Sequence, residues 1–78
     1  MLTTGNQLRA ARALANITQV ELAQMAKLNP NTIRDMEARG SELLRSSFET
    51  VRAVQVALEV AGVEFLNGDR PGVRVKPG

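Results

Sequence analysis

Apolar residues recur with helical spacing in the first segment of the chain. Leu8, Ala11 and Leu14 lie three residues apart, and Ala15 directly follows Leu14. This spacing predicts a helix over about 4–15 with one side turned towards a core. Thr4 with Gln7 has the form of a capping box at its start, and Asn16 suits the left-handed residue that ends a helix.

A second helix is predicted over about 19–26, because Thr18 and Glu21 have the spacing of another capping box. Its apolar positions are Val20, Leu22, Ala23 and Ala26. Only about three residues, "KLN", separate it from the next helical segment. Such a short turn forces the second helix to cross the first steeply, and small residues such as alanine allow the close contact.

A third helix is predicted over about 30–38 and ends near Gly40. Asn29 is suited to its N-cap, and Pro30 follows at the first helical position, where a missing N–H group costs nothing. Ile33 and Met36 are three residues apart and are expected to face inward.

The longest predicted helix covers about 47–61, with Ser46 and Glu49 as a third capping box. Its inward face is expected to include Phe48, Val51, Leu58 and Ala61. Beyond it, "VEFL" and "VRVK" flank "NGDRPG", which predicts a β-hairpin over about 63–76. An isolated hairpin is only marginally stable, so we expect it to pack on the helices or to pair with another chain, and a frayed tail is the alternative.

The composition restricts the chemistry that is available. The chain has no Cys and no His, so disulfides, thiol nucleophiles and histidine general bases are absent, and a metal site would need carboxylates alone. We therefore expect neither an enzyme nor a cofactor. No long apolar run and no hydrophobic leader segment are visible, so we expect a cytoplasmic protein without a membrane partner. With no Trp or Tyr and only two Phe, the sequence also argues against base-stacking recognition of single strands.

Two short helices joined by a tight turn are typical of a helix-turn-helix, whose second helix presents its N-terminal end to the DNA major groove. The segments "LRAAR", "ITQVELAQMAKL" and "NPNTIRDMEARG" resemble the Cro/cI-type (XRE-like, lambda-repressor-like) helix-turn-helix regulators over roughly residues 7–62. The resemblance implies one mainly α domain over 1–78, a lambda-repressor-like bundle of four helices with a short C-terminal β-hairpin. Lys27 departs from the pattern, because the family commonly has glycine at this turn position.

The resemblance also implies which residues contact DNA. The base-reading positions would be Pro30, Asn31, Arg34 and Asp35. Asn31 could pair with adenine, Pro30 could only make apolar contacts, and Arg34 could reach guanine or a phosphate. Asp35 would accept from cytosine or orient Arg34.

A second group would contact the DNA backbone: Gln19, Lys27, Thr32, Arg39 and Arg45. These contacts position the protein without reading sequence. For the cations, an ordinary solvated surface charge is the alternative. Thr32 has the alternative of a first-turn residue, and Gln19 that of an exposed residue at a helix start.

Arg12 and Glu37 have a different expected role. In the family, an arginine of the first helix commonly pairs with a glutamate near the end of the third, and these positions are Arg12 and Glu37 here. The resemblance therefore implies a structural ion pair.

The last helix carries a second apolar stripe, which suggests burial against a partner. We expect a two-fold homodimer through this helix and the hairpin, with the interface Val56, Val60, Val63, Phe65, Val73 and Val75. The alternative is that the hairpin covers the stripe within one chain.

The function expected from these observations is a DNA-binding transcriptional regulator of bacterial or phage type. It is most simply a repressor that binds a palindromic operator as a dimer, and a protein-interaction module such as an antitoxin or antiactivator is the alternative.

Overall fold

A computed structural model describes residues 1–66 and 70–77, where four helices are followed by two strands. The elements are α1 (Gly5–Ala15), α2 (Gln19–Ala26), α3 (Pro30–Glu37), α4 (Phe48–Val60), β1 (Val63–Leu66) and β2 (Gly72–Val75). The predicted helical bundle with a C-terminal hairpin is therefore confirmed. None of the helices in the described ranges has the length and apolar character needed to cross a membrane.

The predicted helix starts are correct for α1 to α3. Both halves of the capping box form at the start of α2. At α1 only one half of the predicted box forms: the Thr4 hydroxyl accepts from the Gln7 amide, but the Gln7 Oε1 accepts from the amide of Thr3 at 2.7 Å instead of that of Thr4. At α4 the prediction is wrong by one residue, because Ser47 rather than Ser46 is the N-cap and accepts from the amide of Thr50 at 3.2 Å. Two adjacent serines give the same local pattern, so the spacing from Ser46 to Glu49 did not identify the cap.

The core is formed by one face of each helix together with Leu2 and Val63. Its buried apolar residues are Leu2, Leu8, Ala11, Leu22, Ala23, Ile33, Met36, Val51, Val54, Ala57, Leu58 and Val63. Leu14, Val20 and Phe48, which were expected on apolar faces, are instead 45%, 51% and 63% exposed. A step of three residues drifts about 60° around a helix, so Leu14 lies beyond the edge of the stripe formed by Leu8 and Ala11.

The hairpin packs on its own chain. Antiparallel pairing matches Val63 with Val75 and Phe65 with Val73, while residues 67–69 of the predicted turn lie outside the described residues. The buried side chain of Gln7 holds the hairpin on α1, because its Nε2 donates to the carbonyl oxygen of Gly72 at 3.1 Å.

The start of α1 touches the end of α3 backbone to backbone. A Cβ at Gly5 would lie 2.5 Å from the carbonyl oxygen of Met36, so only glycine fits this approach. The amide of the next residue, Asn6, donates to the carbonyl of Gly40 at 2.8 Å. These contacts hold the end of α3 against the start of α1.

Candidate nucleic-acid interface

Residues 27–29 form the turn that joins α2 to α3. Lys27 ends α2 in the left-handed conformation, and the amide of Leu28 donates back to the carbonyl of Ala23 at 2.8 Å. The Leu28 side chain is half-buried against the core. The turn is therefore fixed both by backbone hydrogen bonds and by an apolar contact.

The α3 helix divides its residues cleanly between the core and solvent. Ile33, Met36 and Glu37 are buried, and the opposite side is exposed along its whole length. We call this side the outward face of α3: Pro30, Asn31, Arg34, Asp35 and the following Ala38. The four predicted base-reading residues thus all lie on one exposed surface.

The two asparagines at the start of α3 have different tasks. The Oδ1 of Asn29 accepts from the backbone amide of Asn31 at 2.8 Å and caps the helix. Within the described residues the side chain of Asn31 makes no hydrogen bond, so its amide is available to an external donor–acceptor pair.

Cationic side chains flank the outward face. Lys27 and Arg45 are exposed and form no ion pair within the described residues, whereas Arg39 Nη2 lies 3.8 Å from Glu42. The Arg39 Nε also donates to the carbonyl of Leu43 at 3.2 Å. A groove of about 350 Å³ beside α3 brings several of the predicted backbone-contacting residues together, and its lining is Thr32, Asp35, Met36, Arg39, Arg45 and Ser46.

Two carboxylates reduce the positive charge of this surface. Arg34 Nε and Asp35 Oδ1 are 4.0 Å apart, and their side chains are 64% and 78% exposed. An exposed pair of this kind contributes little free energy, so Arg34 can exchange its contact at small cost. Lys27, Arg34, Arg39 and Arg45 outnumber Asp35 and Glu42, which leaves the surface net positive.

Lys27 holds an unfavourable backbone conformation. Its φ is 58°, and Asn16 is the other non-glycine residue with positive φ in the described part of the chain. Asparagine tolerates this region through its short polar side chain, but for lysine the conformation costs roughly 1–2 kcal/mol. Strain of this kind is often retained where a side chain has a function.

A buried carboxylate holds the inner side of α3. Glu37 is 2% exposed and accepts from Arg12 Nε at 2.7 Å, from Arg12 Nη2 at 3.2 Å and from Gln19 Nε2 at 3.1 Å. The hydrogen bond to Glu37 raises the pKa of Arg12 above its usual value. The structure therefore brings together Arg12 and Glu37, the expected structural pair, and adds Gln19 to it.

Gln19 consequently has an internal partner that its position at the start of α2 did not suggest. Its amide joins the first residue of α2 to the last residue of α3 through Glu37. Because an amide nitrogen carries two hydrogens, the second one remains free for an acceptor outside the bundle.

The expected dimer surface is partly wrong. Val63 is 1% exposed and belongs to the core, and Phe65 and Val73 are half-buried against that core. They are covered because the hairpin packs on α1 and α4 of the same chain. Val56, Val60 and Val75 remain exposed, at 40%, 78% and 58%.

Several residues that position the site were not identified from the sequence. Gly5 and Gln7 fix α1 against α3 and the hairpin, and Arg9 lies 3.7 Å from the Glu37 carboxylate. Gln7 does carry a signal, since it stands four residues before Ala11 and so occupies the apolar stripe. A polar residue in a buried stripe indicates a buried hydrogen-bond partner.

A scan against models of known protein families found no match, and a search of the curated proteins found none either.

Proposed function

We propose that the chain is a transcriptional regulator of the Cro/cI type, with a lambda-repressor-like fold, that binds a specific double-stranded DNA sequence through α3. The observation that supports this most directly is that the residues that hold α3 in the bundle are separate from the residues on its outward face. Asn29, Ile33 and Glu37 hold the helix, whereas Asn31 and Arg34 on its outward face have no structural task.

Sequence would be read by the first two turns of α3 in the major groove. Asn31 would pair with adenine and Arg34 with guanine, and each such pair discriminates by about 1–3 kcal/mol. Asp35 accepts from cytosine or orients Arg34, which lies 4.0 Å away. Pro30 offers only apolar contact, for example with a thymine methyl group.

The flanking residues would bind phosphates and set the register of α3. Lys27 and Arg45 are the freest of them, since both are exposed and form no ion pair within the described residues. Arg39 contributes after releasing Glu42, and Thr32 and Gln19 add neutral hydrogen bonds. Contacts of this kind release counterions, so affinity should fall steeply with salt.

A dimer on a palindromic operator suits the size of the chain. Half-sites one helical turn apart separate two recognition helices by about 34 Å. The chain measures 29 × 26 × 19 Å, so two copies lying side by side can reach both half-sites while touching each other. Binding at such a site would most simply repress transcription.

Selection of bound sequences from random duplex DNA, followed by fluorescence anisotropy on the selected site, tests the proposal. We expect Asn31→Ala to lose about 1–3 kcal/mol of preference at one base pair. Arg45→Ala should weaken binding to all sequences alike and reduce the salt slope by about one unit. Arg70→Ala removes an exposed arginine two residues before β2, outside the helix-turn-helix segment, and serves as the matched control. If no sequence is enriched, or if neither variant differs from the control, the proposed binding face is wrong.

A protein-interaction module on the same fold, such as an antitoxin or antiactivator, is the second candidate. It is favoured by Asp35 and Glu42 beside the outward face, which oppose phosphate, and by exposed Leu43 and Phe48 nearby. An electrophoretic shift with the chain's own upstream DNA, measured with and without competitor DNA, separates the two. A specific shift supports the regulator, and its absence supports the interaction module.

A further inference from the structure

A groove lies between α2 and α4, and none of the four proposed base-reading residues lines it. Its volume is about 670 Å³, and we call it the α2–α4 groove: Met25, Ala26, Lys27, Glu49, Arg52, Ala53, Val56, Ala57 and Val60. It is larger than the groove of about 350 Å³ beside α3.

The floor and the walls of this groove differ in size. Ala26, Ala53 and Ala57 supply a floor of small side chains. Met25, Val56 and Val60 stand at its sides and are 43%, 40% and 78% exposed. A contiguous exposed apolar surface marks an interaction site more often than isolated apolar residues do. The groove thus offers both valine-sized projections and a depression that can receive them.

The charges at the rim indicate which partner fits. Lys27, Arg52 and Glu49 line the groove, and within the described residues none of them forms an ion pair. A partner of one charge sign would place a like charge opposite one of these residues, which is unfavourable. A second copy carries the same mixture of signs. It can therefore set its own Glu49 against Arg52 of the first copy and its own Arg52 against Glu49, which leaves Lys27 available to a phosphate.

We propose that the α2–α4 groove is the surface on which a second copy of this chain docks, with two-fold symmetry. The Val60 side chain of each copy enters the alanine floor of the other, and the rim charges pair across the interface. An isologous contact of this kind uses the same patch on both copies. The inference deepens the proposed function, because it names the dimer surface, but dimerisation itself can be measured without DNA.

A second exposed apolar patch supplies a comparison. It surrounds Leu43, which is 68% exposed, and Phe48, which is 63% exposed. No charged side chain lines the groove of about 310 Å³ at this patch, so it lacks the rim of charged side chains found at the α2–α4 groove. Leu43 is therefore a matched control for Val60, since both are exposed and their replacement leaves the core intact.

Sedimentation equilibrium of the full chain without DNA, from about 1 µM to 1 mM, tests the apolar part of the proposal. The wild type should be a dimer at the upper concentrations. Val60→Asp buries a carboxylate twice in the symmetric contact and should raise the dissociation constant about a hundredfold or more, whereas Leu43→Asp should leave it unchanged. A wild type that stays monomeric, a Val60→Asp variant that still dimerises, or a Leu43→Asp variant that dissociates overturns the proposal. Far-UV circular dichroism checks that both variants are folded.

Charge exchange tests the rim independently. Glu49→Lys gives a rim with cations only, and the double variant Lys27→Glu with Arg52→Glu gives a rim with carboxylates only. At about 50 mM salt each should be monomeric alone, and an equimolar mixture should recover the dimer. A mixture that remains monomeric contradicts the two-fold pairing. A dimer with no sequence preference on DNA would instead contradict only the proposed function.

Discussion

Replacing Glu37 by alanine tests how strongly the buried carboxylate holds α3. The change removes the acceptor of two Arg12 hydrogen bonds and one Gln19 hydrogen bond, and it leaves these donors facing a cavity. Breaking a buried ion pair by removing one partner costs about 3–5 kcal/mol. The Arg12 side chain is 23% exposed and can recruit water, so we expect the lower end, about 3 kcal/mol.

This loss is a large part of the stability of a small domain. For a chain of this length, about 3 kcal/mol lowers the melting temperature by about 12–24 °C. The assay is thermal and urea unfolding followed by far-UV circular dichroism, because the chain contains no Trp or Tyr for fluorescence. Glu37→Gln keeps the side-chain volume and one acceptor oxygen, and it should lose clearly less stability than Glu37→Ala.

Asp35→Ala is the matched control on the same helix. Its carboxylate is 78% exposed and only 4.0 Å from Arg34, so the expected change is below about 0.5 kcal/mol. If Glu37→Ala melts within about 4 °C of the wild type, equivalent to about 1 kcal/mol, the carboxylate does not hold α3 and the reasoning fails.

Three further outcomes follow from single positions. Gly5→Ala places a Cβ 2.5 Å from a carbonyl oxygen of α3 and should cost about 1–3 kcal/mol in urea unfolding, whereas Gly72→Ala, with its nearest contact at 3.9 Å, should be tolerated far better. Lys27→Gly relieves the strain of a φ of 58° and should raise the free energy of unfolding by about 1 kcal/mol. The same change should weaken DNA binding, and a gain in DNA affinity would contradict a phosphate contact by Lys27. The Thr18 amide donates to Glu21 and lowers its pKa below 4.5, so the stabilisation is present above about pH 4.5 and is lost as pH falls through the lower, folded-state pKa. The stability difference between the wild type and Glu21→Gln should therefore shrink below pH 4.5, and a difference that persists in acid would rule out this origin.

The helices could be predicted because their signals are local. Thr18 with Glu21, and Asn29 before Pro30, satisfy N-terminal amides within one turn, and such contacts do not depend on the rest of the chain. The outward face of α3 followed from the same reasoning, since an inward Ile33 leaves Asn31 and Arg34 outside.

The contacts between distant segments could not be predicted in this way. An apolar stripe shows that something covers it, but periodicity does not distinguish the chain's own hairpin from a partner, and Val63 was misassigned for this reason. The need for glycine at Gly5 arises from the backbone of α3, more than thirty residues away. A local pattern contains no information about such an approach.

Glu37 joins the last turn of α3 to α1 and α2 from inside the bundle, and this affects how α3 can move. An eight-residue helix would be largely unfolded on its own in water, so α3 owes its order to these contacts. Its amides should then exchange with deuterium together with those of α1, and no folding of α3 should accompany the proposed association with DNA. A helix that is already rigid can test successive sites along a duplex without a conformational step at each one.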